Sequence, residues 1–301
     1  MSASLPRVRK VVIPAAGRGT RLLPATKSQP KEMLPVARKP VIQYVVEEMV
    51  DAGLGQILIV SGRTKRAIDD HFDPDPVLQA ELSRRNDREL MAQFAFEHLD
   101  AHYFYVRQSE PRGLGHAVLL AEEFVAGEPF AVALGDSIVW NGGGKSLMRQ
   151  LVQTHVETGA AATIAVEEVT AQDVVNYGIV KPVDKVGHVF QISDLVEKPS
   201  VEDAPSRLAI AARYIFGPQV FSALRDTAPG HGGEIQLTDA IRILLSAGCP
   251  VWCVRLEGGC RRYDIGNFDS YFKAFVEISL QDPELGESLR AHLASLLKEE
   301  A

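Results

Sequence analysis

The chain has 301 residues, enough for one large α/β domain or two ordinary ones with a sizeable core, and too many for a disulfide-stapled miniprotein. Its 46% hydrophobic and 24% charged residues, with 24 Gly and 17 Pro dispersed along the chain, exclude a disordered linker and a collagen-like repeat. The net charge of −7 argues against a nucleic-acid binder acting over its whole surface, yet the first 46 residues hold nine Lys/Arg against one acid, Glu32, so a local anion site is expected near the start.

Short apolar runs alternate with helical patterns, the signature of parallel strands joined by crossover helices. Val11–Ala16 reads as the first strand, and Pro40 opens a helix through Val41, Tyr44, Val45 and Met49 that Gly53 closes. Ile57–Val60 is the second strand. Residues 65–72 read as helical, and 76–96, with near-helical apolar spacing among many charges, as an exposed helical excursion. Tyr103–Val106 resumes the sheet. A helix over 116–125, a strand over 130–134, a helix over 146–158 and a strand over 163–166 follow. The pattern then changes to β segments at 178–181, 188–196 and 210–216 separated by turns, so the second half is expected to be mixed and partly antiparallel. Helices over 219–225 and 234–247, a strand over 251–256, and helical patterns over 268–280 and 285–297 complete the chain. With no repeat at a fixed period and no clean linker, one domain is expected.

No apolar run approaches the roughly 18 residues of a membrane span, and Val11-Val12-Ile13 is too short for the core of a signal peptide. Cys249, Cys253 and Cys260 are odd in number and lack the paired spacing of a zinc site. They read as buried free thiols of a cytoplasmic protein with neither membrane nor nucleic acid as partner.

Gly17-Arg18-Gly19-Thr20-Arg21 follows the first strand, where open parallel sheets place ligands. Glycines there let backbone N–H groups approach phosphate, and Arg21 offers two parallel donors to its oxygens. The loop departs from the dinucleotide fingerprint, because the third glycine position holds Leu22, and a plain tight turn also accounts for its glycines. Gly142-Gly143-Gly144-Lys145-Ser146 only superficially resembles a P-loop and reads as a surface loop capped by a helix. Gly135-Asp136-Ser137 ends an apolar strand, so Asp136 is either a hard-oxygen ligand for Mg²⁺ or a turn cap. Glu197-Lys198-Pro199 ends a β segment, and Tyr263-Asp264-Ile265-Gly266 precedes a helix, which Asp264 could cap.

Taken in order, Ala15-Ala16-Gly17-x-Gly19-Thr20-Arg21-x-x-Pro24, Pro30-Lys31-Glu32-Met33-Leu34-Pro35, Val106-Arg107-Gln108, Gly113-Leu114-Gly115-His116-Ala117, Gly135-Asp136, Tyr177-Gly178, Val196-Glu197-Lys198-Pro199, Glu234-Ile235-Gln236-Leu237-Thr238-Asp239 and Asp264-Ile265-Gly266-Asn267 closely resemble the sugar-1-phosphate nucleotidylyltransferases, in particular the bacterial branch that uses UTP and glucose 1-phosphate. The resemblance runs from about Lys10 to Glu287. It implies a Rossmann-like αβα nucleotidyltransferase core with a mixed sheet and a β-rich sugar-side elaboration. A nucleotide-binding half would cover about 8–140, a sugar-binding half about 141–267, and C-terminal helices about 268–298. It further implies that Ala15, Ala16 and Gly17 meet the nucleotide through backbone groups, that Gln108 and Gly115 read the uracil edge, and that Glu32 lies near the nucleoside. By the same resemblance Arg21 holds the departing pyrophosphate, Lys31 the α-phosphate and Lys198 the sugar phosphate. Gly178 and Glu197 contact glucose, and Asp136 with Asp264 binds Mg²⁺. Many relatives carry a second acid after the metal-binding Asp, where this chain has Ser137.

Lys31-Glu32 rather than Lys-Gln, and the Glu234–Asp239 segment, favour uridylyl over thymidylyl transfer by resemblance. A non-catalytic paralogue that only binds a nucleotide sugar would have lost Arg21, Lys31, Asp136 or Lys198, and all four are present. The expected assembly is a homo-oligomer, dimer or tetramer, since the apolar stripe of Tyr271–Leu280 serves an interface as readily as a core.

Overall fold

Side chains of the first strand, β1 (Lys10–Ala15), alternate between two apolar layers, as the period of two in a pleated strand requires. Val11, Ile13 and Ala15 pack with Ile42, Val45, Val46 and Met49 of the helix Val41–Asp51. Val12 packs on the other face with Ala117, Val118 and Ala121. A strand buried on both faces needs helices on both sides, and the result is a three-layer αβα core. The computed structural model describes residues 8–85 and 88–299; Arg7 of the basic opening and residues 86–87 of the expected excursion lie outside them.

The sheet continues with β2 (Gln56–Ser61), β3 (His102–Arg107), β4 (Phe130–Ala133), β6 (Ala162–Glu168), β7 (Gly178–Pro182), β8 (Val189–Glu197), β9 (Leu208–Phe216) and β10 (Val251–Arg255), while β5 (Ser137–Trp140) stands outside it. The nine strands run in the order β3-β2-β1-β4-β9-β6-β10-β8-β7. The β1, β2, β3 and β4 ladders are parallel, whereas β9 runs antiparallel to both β4 and β6, and β8 antiparallel to β10 and β7. Strand β9 lies in the middle of the sheet and is buried at all nine positions, which explains its nearly unbroken apolar sequence. Its exception, Arg213, is fully buried and paired with Glu48 at 2.7 Å, and it donates to the Ser137 carbonyl at 2.8 Å.

Two expectations are corrected and one pairing is added. The helix read over 116–125 is two shorter ones, Leu114–Leu119 and Glu122–Val125. The helix expected from Glu234 starts at Leu237, because Ile235 is extended against residues 112–115: its N–H donates to Arg112 O at 2.9 Å and its carbonyl accepts from Gly115 N–H at 2.8 Å. A side chain at Gly115 would stand 2.8 Å from that carbonyl, so only glycine permits the approach. Finally, β5 pairs antiparallel with β11 (Arg261–Asp264), a ladder that sequence reading missed. Ile138 and Tyr263 of this ladder enter a small third core with Val41, Ile265, Ala274 and Ile278. The Gly142–Gly144 segment is exposed, and Ser146 caps the following helix by accepting from Arg149 N–H, as expected.

Candidate active site

The ladder of β5 and β11 brings the two aspartates together. Ser137 pairs with Asp264 in register, and the Ile265 N–H donates to the Asp136 carbonyl at 2.9 Å. Asp136 therefore sits in the turn between β4 and β5, and Asp264 is the last residue of its strand. The helix after Gly266 is capped by Asn267, which accepts from Ser270 N–H at 3.0 Å, so Asp264 is not its cap.

Charge around the pair is unevenly shared. Lys31 projects from a short 3₁₀ turn (Lys31–Met33) and its ammonium pairs with Asp136 Oδ2. A Cβ added at Gly17 would lie 3.7 Å from Lys31 Nζ, which places this ammonium over the glycine loop. Burial works against the Lys31 charge, but Asp136 and then Glu32 hold its pKa above the ordinary lysine value. Burial pushes Asp136 upward, and Lys31 outweighs it, so Asp136 lies below the usual carboxylate range. Asp264 is raised, first by burial and then by the Asp136 charge, against the pull of Arg262, Lys31 and Arg21. Two carboxylates that repel each other beside a polar cavity make a favourable place for a cation.

Opposite the glycine loop, β7 and β8 pair Gly178 with Glu197. A Cβ at Gly178 would stand 2.9 Å from Ile210 Cδ1 and from Thr238 Cγ2, and 3.3 Å from Glu197 Oε2, so the missing side chain keeps the Glu197 carboxylate accessible. Lys198 adopts φ 45°, and its N–H donates to Tyr177 O at 3.0 Å. That backbone turn directs the ammonium to within 3.8 Å of Glu197 Oε1.

One cavity of about 490 Å³ is lined by Gly17, Arg21, Lys31, Asp136, Gly178, Glu197, Lys198 and Asp264. Eight of the expected site residues thus converge, from six separate stretches of sequence. The same walls hold Arg18, Asn176, Tyr177, Thr238 and Arg262, which sequence reading did not single out as site residues. The hydroxyls of Ser137 and Thr238 are buried at this cavity without a protein partner, and a polar ligand would satisfy them. A larger cavity, about 810 Å³, lies between the helix Val41–Asp51 and residues 278–284 and contains none of the expected site residues.

The remaining expected residues stand behind or beside the cavity. Ala15 is buried at the end of β1, with Ala16 following it. Glu32 is buried beneath the Lys31 turn in an ion pair with Lys65 at 2.6 Å, and burial, its dominant influence, raises its pKa despite Lys65 and Lys31. Gln108 is buried too, its amide nitrogen within 3.1 Å of Gly113 O and 2.9 Å of His116 Nδ1. Since the Gly115 N–H is bonded to Ile235 O, the two expected base readers have these donors engaged within the protein. Burial and then Arg112 lower the His116 pKa, which favours the neutral ring that accepts at Nδ1.

Residues 10–281 match the Nucleotidyl transferase family. The chain is similar to UTP--glucose-1-phosphate uridylyltransferase YngB of Bacillus subtilis (strain 168), with 46% identity over 294 residues, 98% of this chain and 97% of that protein. It is also similar to a second UTP--glucose-1-phosphate uridylyltransferase of the same strain, with 44% identity over 98% of this chain and 99% of that one. Among solved structures, a UTP-bound UGPase from Acinetobacter baumannii superimposes with a TM-score of 0.88 at 35% identity, covering 96% of this chain and 100% of that one. A UDP-glucose pyrophosphorylase complexed with UDP-glucose gives 0.81 at 37% identity over 90% of this chain and 98% of that one.

Proposed function

The chain belongs to the nucleotidyl transferase family, and from that membership we infer that it transfers a uridylyl group from UTP to glucose 1-phosphate, giving UDP-glucose and pyrophosphate. The observation that carries the reading is the single cavity that gathers Arg21, Lys31, Lys198, Asp136, Asp264 and Glu197 in a chain aligned to uridylyltransferases over nearly its whole length.

A phosphate oxygen of glucose 1-phosphate attacks the α-phosphorus of UTP, the bond from that phosphorus to the bridging oxygen breaks, and the electron pair leaves with pyrophosphate. The attacking oxygen is already anionic at neutral pH, so no general base is needed. What the reaction demands is alignment of two anions that repel each other. Backbone groups of Ala15, Ala16 and Gly17 meet the nucleotide, with Glu32, Gln108 and Gly115 on the nucleoside side. Arg21 holds the departing pyrophosphate, and Lys31, poised over Gly17, neutralises the α-phosphate. From the other wall Lys198 holds the sugar phosphate, while Glu197, kept accessible by Gly178, accepts from sugar hydroxyls.

Asp136 and Asp264 would hold Mg²⁺. Among the described residues no group of three or more His, Cys, Asp or Glu is gathered for a metal. Two hard carboxylates therefore suit an ion whose other positions go to water and phosphate oxygens. When bound, the ion supplies positive charge to the phosphate oxygens as they rearrange. Ser137, in place of a second acid, offers a hydroxyl whose oxygen is buried without a protein partner.

Three free cysteines and the absence, among the described residues, of a helix long and apolar enough to cross a membrane support a cytoplasmic location. Phe272, Phe275 and Val276 are exposed on the helix Phe268–Ser279 and support assembly into a homo-oligomer. The functional reading is tested by following pyrophosphate release with each of UTP, dTTP, ATP and GTP in the presence of glucose 1-phosphate and Mg²⁺. UTP is expected to be the preferred nucleotide. Preference for a purine triphosphate would overturn the assignment, and preference for dTTP would move the chain to a thymidylyl role.

A further inference from the structure

Arg262 is the cavity's deeply buried cation, its side chain only 6% exposed. It lies on β11 two residues before Asp264, so both side chains leave the same face of the strand. The guanidinium touches three groups. Its Nε donates to Glu167 Oε1 on β6, its Nη1 stands 3.7 Å from Asp264 Oδ2, and its central carbon lies over the Tyr177 ring, 4.6 Å from the ring centroid. Tyr177 in turn accepts the Lys198 N–H at its carbonyl and directly precedes Gly178. One buried cation thus stands beside the Asp264 carboxylate on one side of the cavity and over the ring of Tyr177, whose carbonyl holds the Lys198 turn, on the other.

We propose that Arg262 is a positioning residue for both sides of the reaction: it orients the Asp264 carboxylate directly and, by its contact over the Tyr177 ring, sets the turn that presents Gly178 and Lys198 to the sugar phosphate. The proposal rests on the transfer reading above. A planar guanidinium performs both tasks because it stacks on a ring while its edge donates to carboxylates. A lysine at the same place keeps a positive charge for Glu167 and Asp264 but gives up the planar stack. A role confined to holding the fold would weaken both substrates together, whereas positioning through Tyr177 separates them.

The test compares Arg262→Lys, Tyr177→Leu and Tyr177→Phe in steady-state kinetics, with UTP binding measured separately by calorimetry. Arg262→Lys and Tyr177→Leu should each raise the KM for glucose 1-phosphate about tenfold, the scale of losing one partly desolvated cation–ring contact together with the alignment it supports. UTP affinity should stay within about twofold in both, and Tyr177→Phe, which keeps the ring, should raise the KM for glucose 1-phosphate less than Tyr177→Leu does. If Arg262→Lys does not fold, Tyr177→Leu carries the test alone. An unchanged KM for glucose 1-phosphate in Tyr177→Leu, or equal losses for UTP and glucose 1-phosphate, would overturn the positioning role while the wild type still transfers uridylyl groups. A wild type that releases no pyrophosphate from UTP and glucose 1-phosphate would instead overturn the transfer reading and this inference with it.

Discussion

The two walls of the cavity place their cations by different means. On the nucleotide side, Arg21 and Lys31 stand on loops and 3₁₀ turns that follow a parallel strand, and the support comes from buried ion pairs: Glu32 with Lys65 beneath the Lys31 turn, Glu48 with Arg213 behind the Asp136 turn. On the sugar side, Glu197 and Lys198 stand at the end of a strand whose register with β7 fixes them opposite Gly178. A polyphosphate is bound by charge and by backbone N–H groups, which turns at strand ends provide. A sugar is bound through hydroxyls at fixed spacing, for which a strand register is the stiffer ruler. If this division holds, substitutions on each wall should separate into distinct kinetic classes.

Lys31→Ala should have the largest effect. It removes the charge proposed for the α-phosphate and leaves Asp136 as a partly buried carboxylate without its partner. A loss of roughly 10³-fold in kcat/KM is expected. Stopped-flow or steady-state measurement showing less than about a tenfold loss would place the α-phosphate elsewhere.

Asp136→Asn and Asp264→Asn come next, each with turnover lowered roughly 10²-fold and a higher Mg²⁺ requirement. Because both carboxylates face one place, the double variant should lose much less than the product of the two single losses. Strict multiplication of the two losses in a magnesium titration would mean that the carboxylates serve separate ends. Lys198→Ala should cost about as much, roughly 2–3 kcal/mol of transition-state stabilisation, and should raise the requirement for glucose 1-phosphate while UTP binding stays unchanged. Equal damage to both substrates would erase the distinction between the walls.

The nucleotide wall was the more legible in sequence, and the reasons are physical. Glycines after an apolar strand suit a phosphate loop as well as a plain tight turn, but here they stand in an ordered series of motifs, and the parallel strands of that half are apolar runs of ordinary length. The meeting of Asp136 with Asp264 depends instead on the β5–β11 ladder. Arg-Arg-Tyr-Asp has no apolar alternation, since Arg262 is buried through ion pairs and Tyr263 alone of the four is apolar and buried. The extended Glu234-Ile235 looked helical because its apolar spacing continues that of the true helix; only the close approach allowed by Gly115 draws it out of register. Arg213 could have been noticed as a lone charge in a nine-residue buried strand, and Glu48, its partner, lies 165 positions away.

The last contrast concerns stability, and its effect is the smallest. The buried acids behind the nucleotide wall have cationic partners, but His155, on the helix Leu147–Thr158 that packs against β6, is buried with only the Thr163 hydroxyl at 3.2 Å beside its Nδ1. Burial alone lowers its pKa to about 4 from an ordinary 6.5. A depressed histidine pKa means that the unfolded chain takes up the proton first as pH falls. The stabilising contribution of the neutral ring is therefore complete above about pH 6.5 and is lost progressively as pH falls toward 4. His155→Gln keeps a polar group for Thr163 without a titration in that range. Urea unfolding at pH 7 and pH 5 should then show the wild type losing more of its midpoint than the variant, with the difference confined to the acid side. Equal acid losses in the two proteins would mean that His155 reaches water in the folded state and that the helix Leu147–Thr158 is less tightly packed on β6 than its burial indicates.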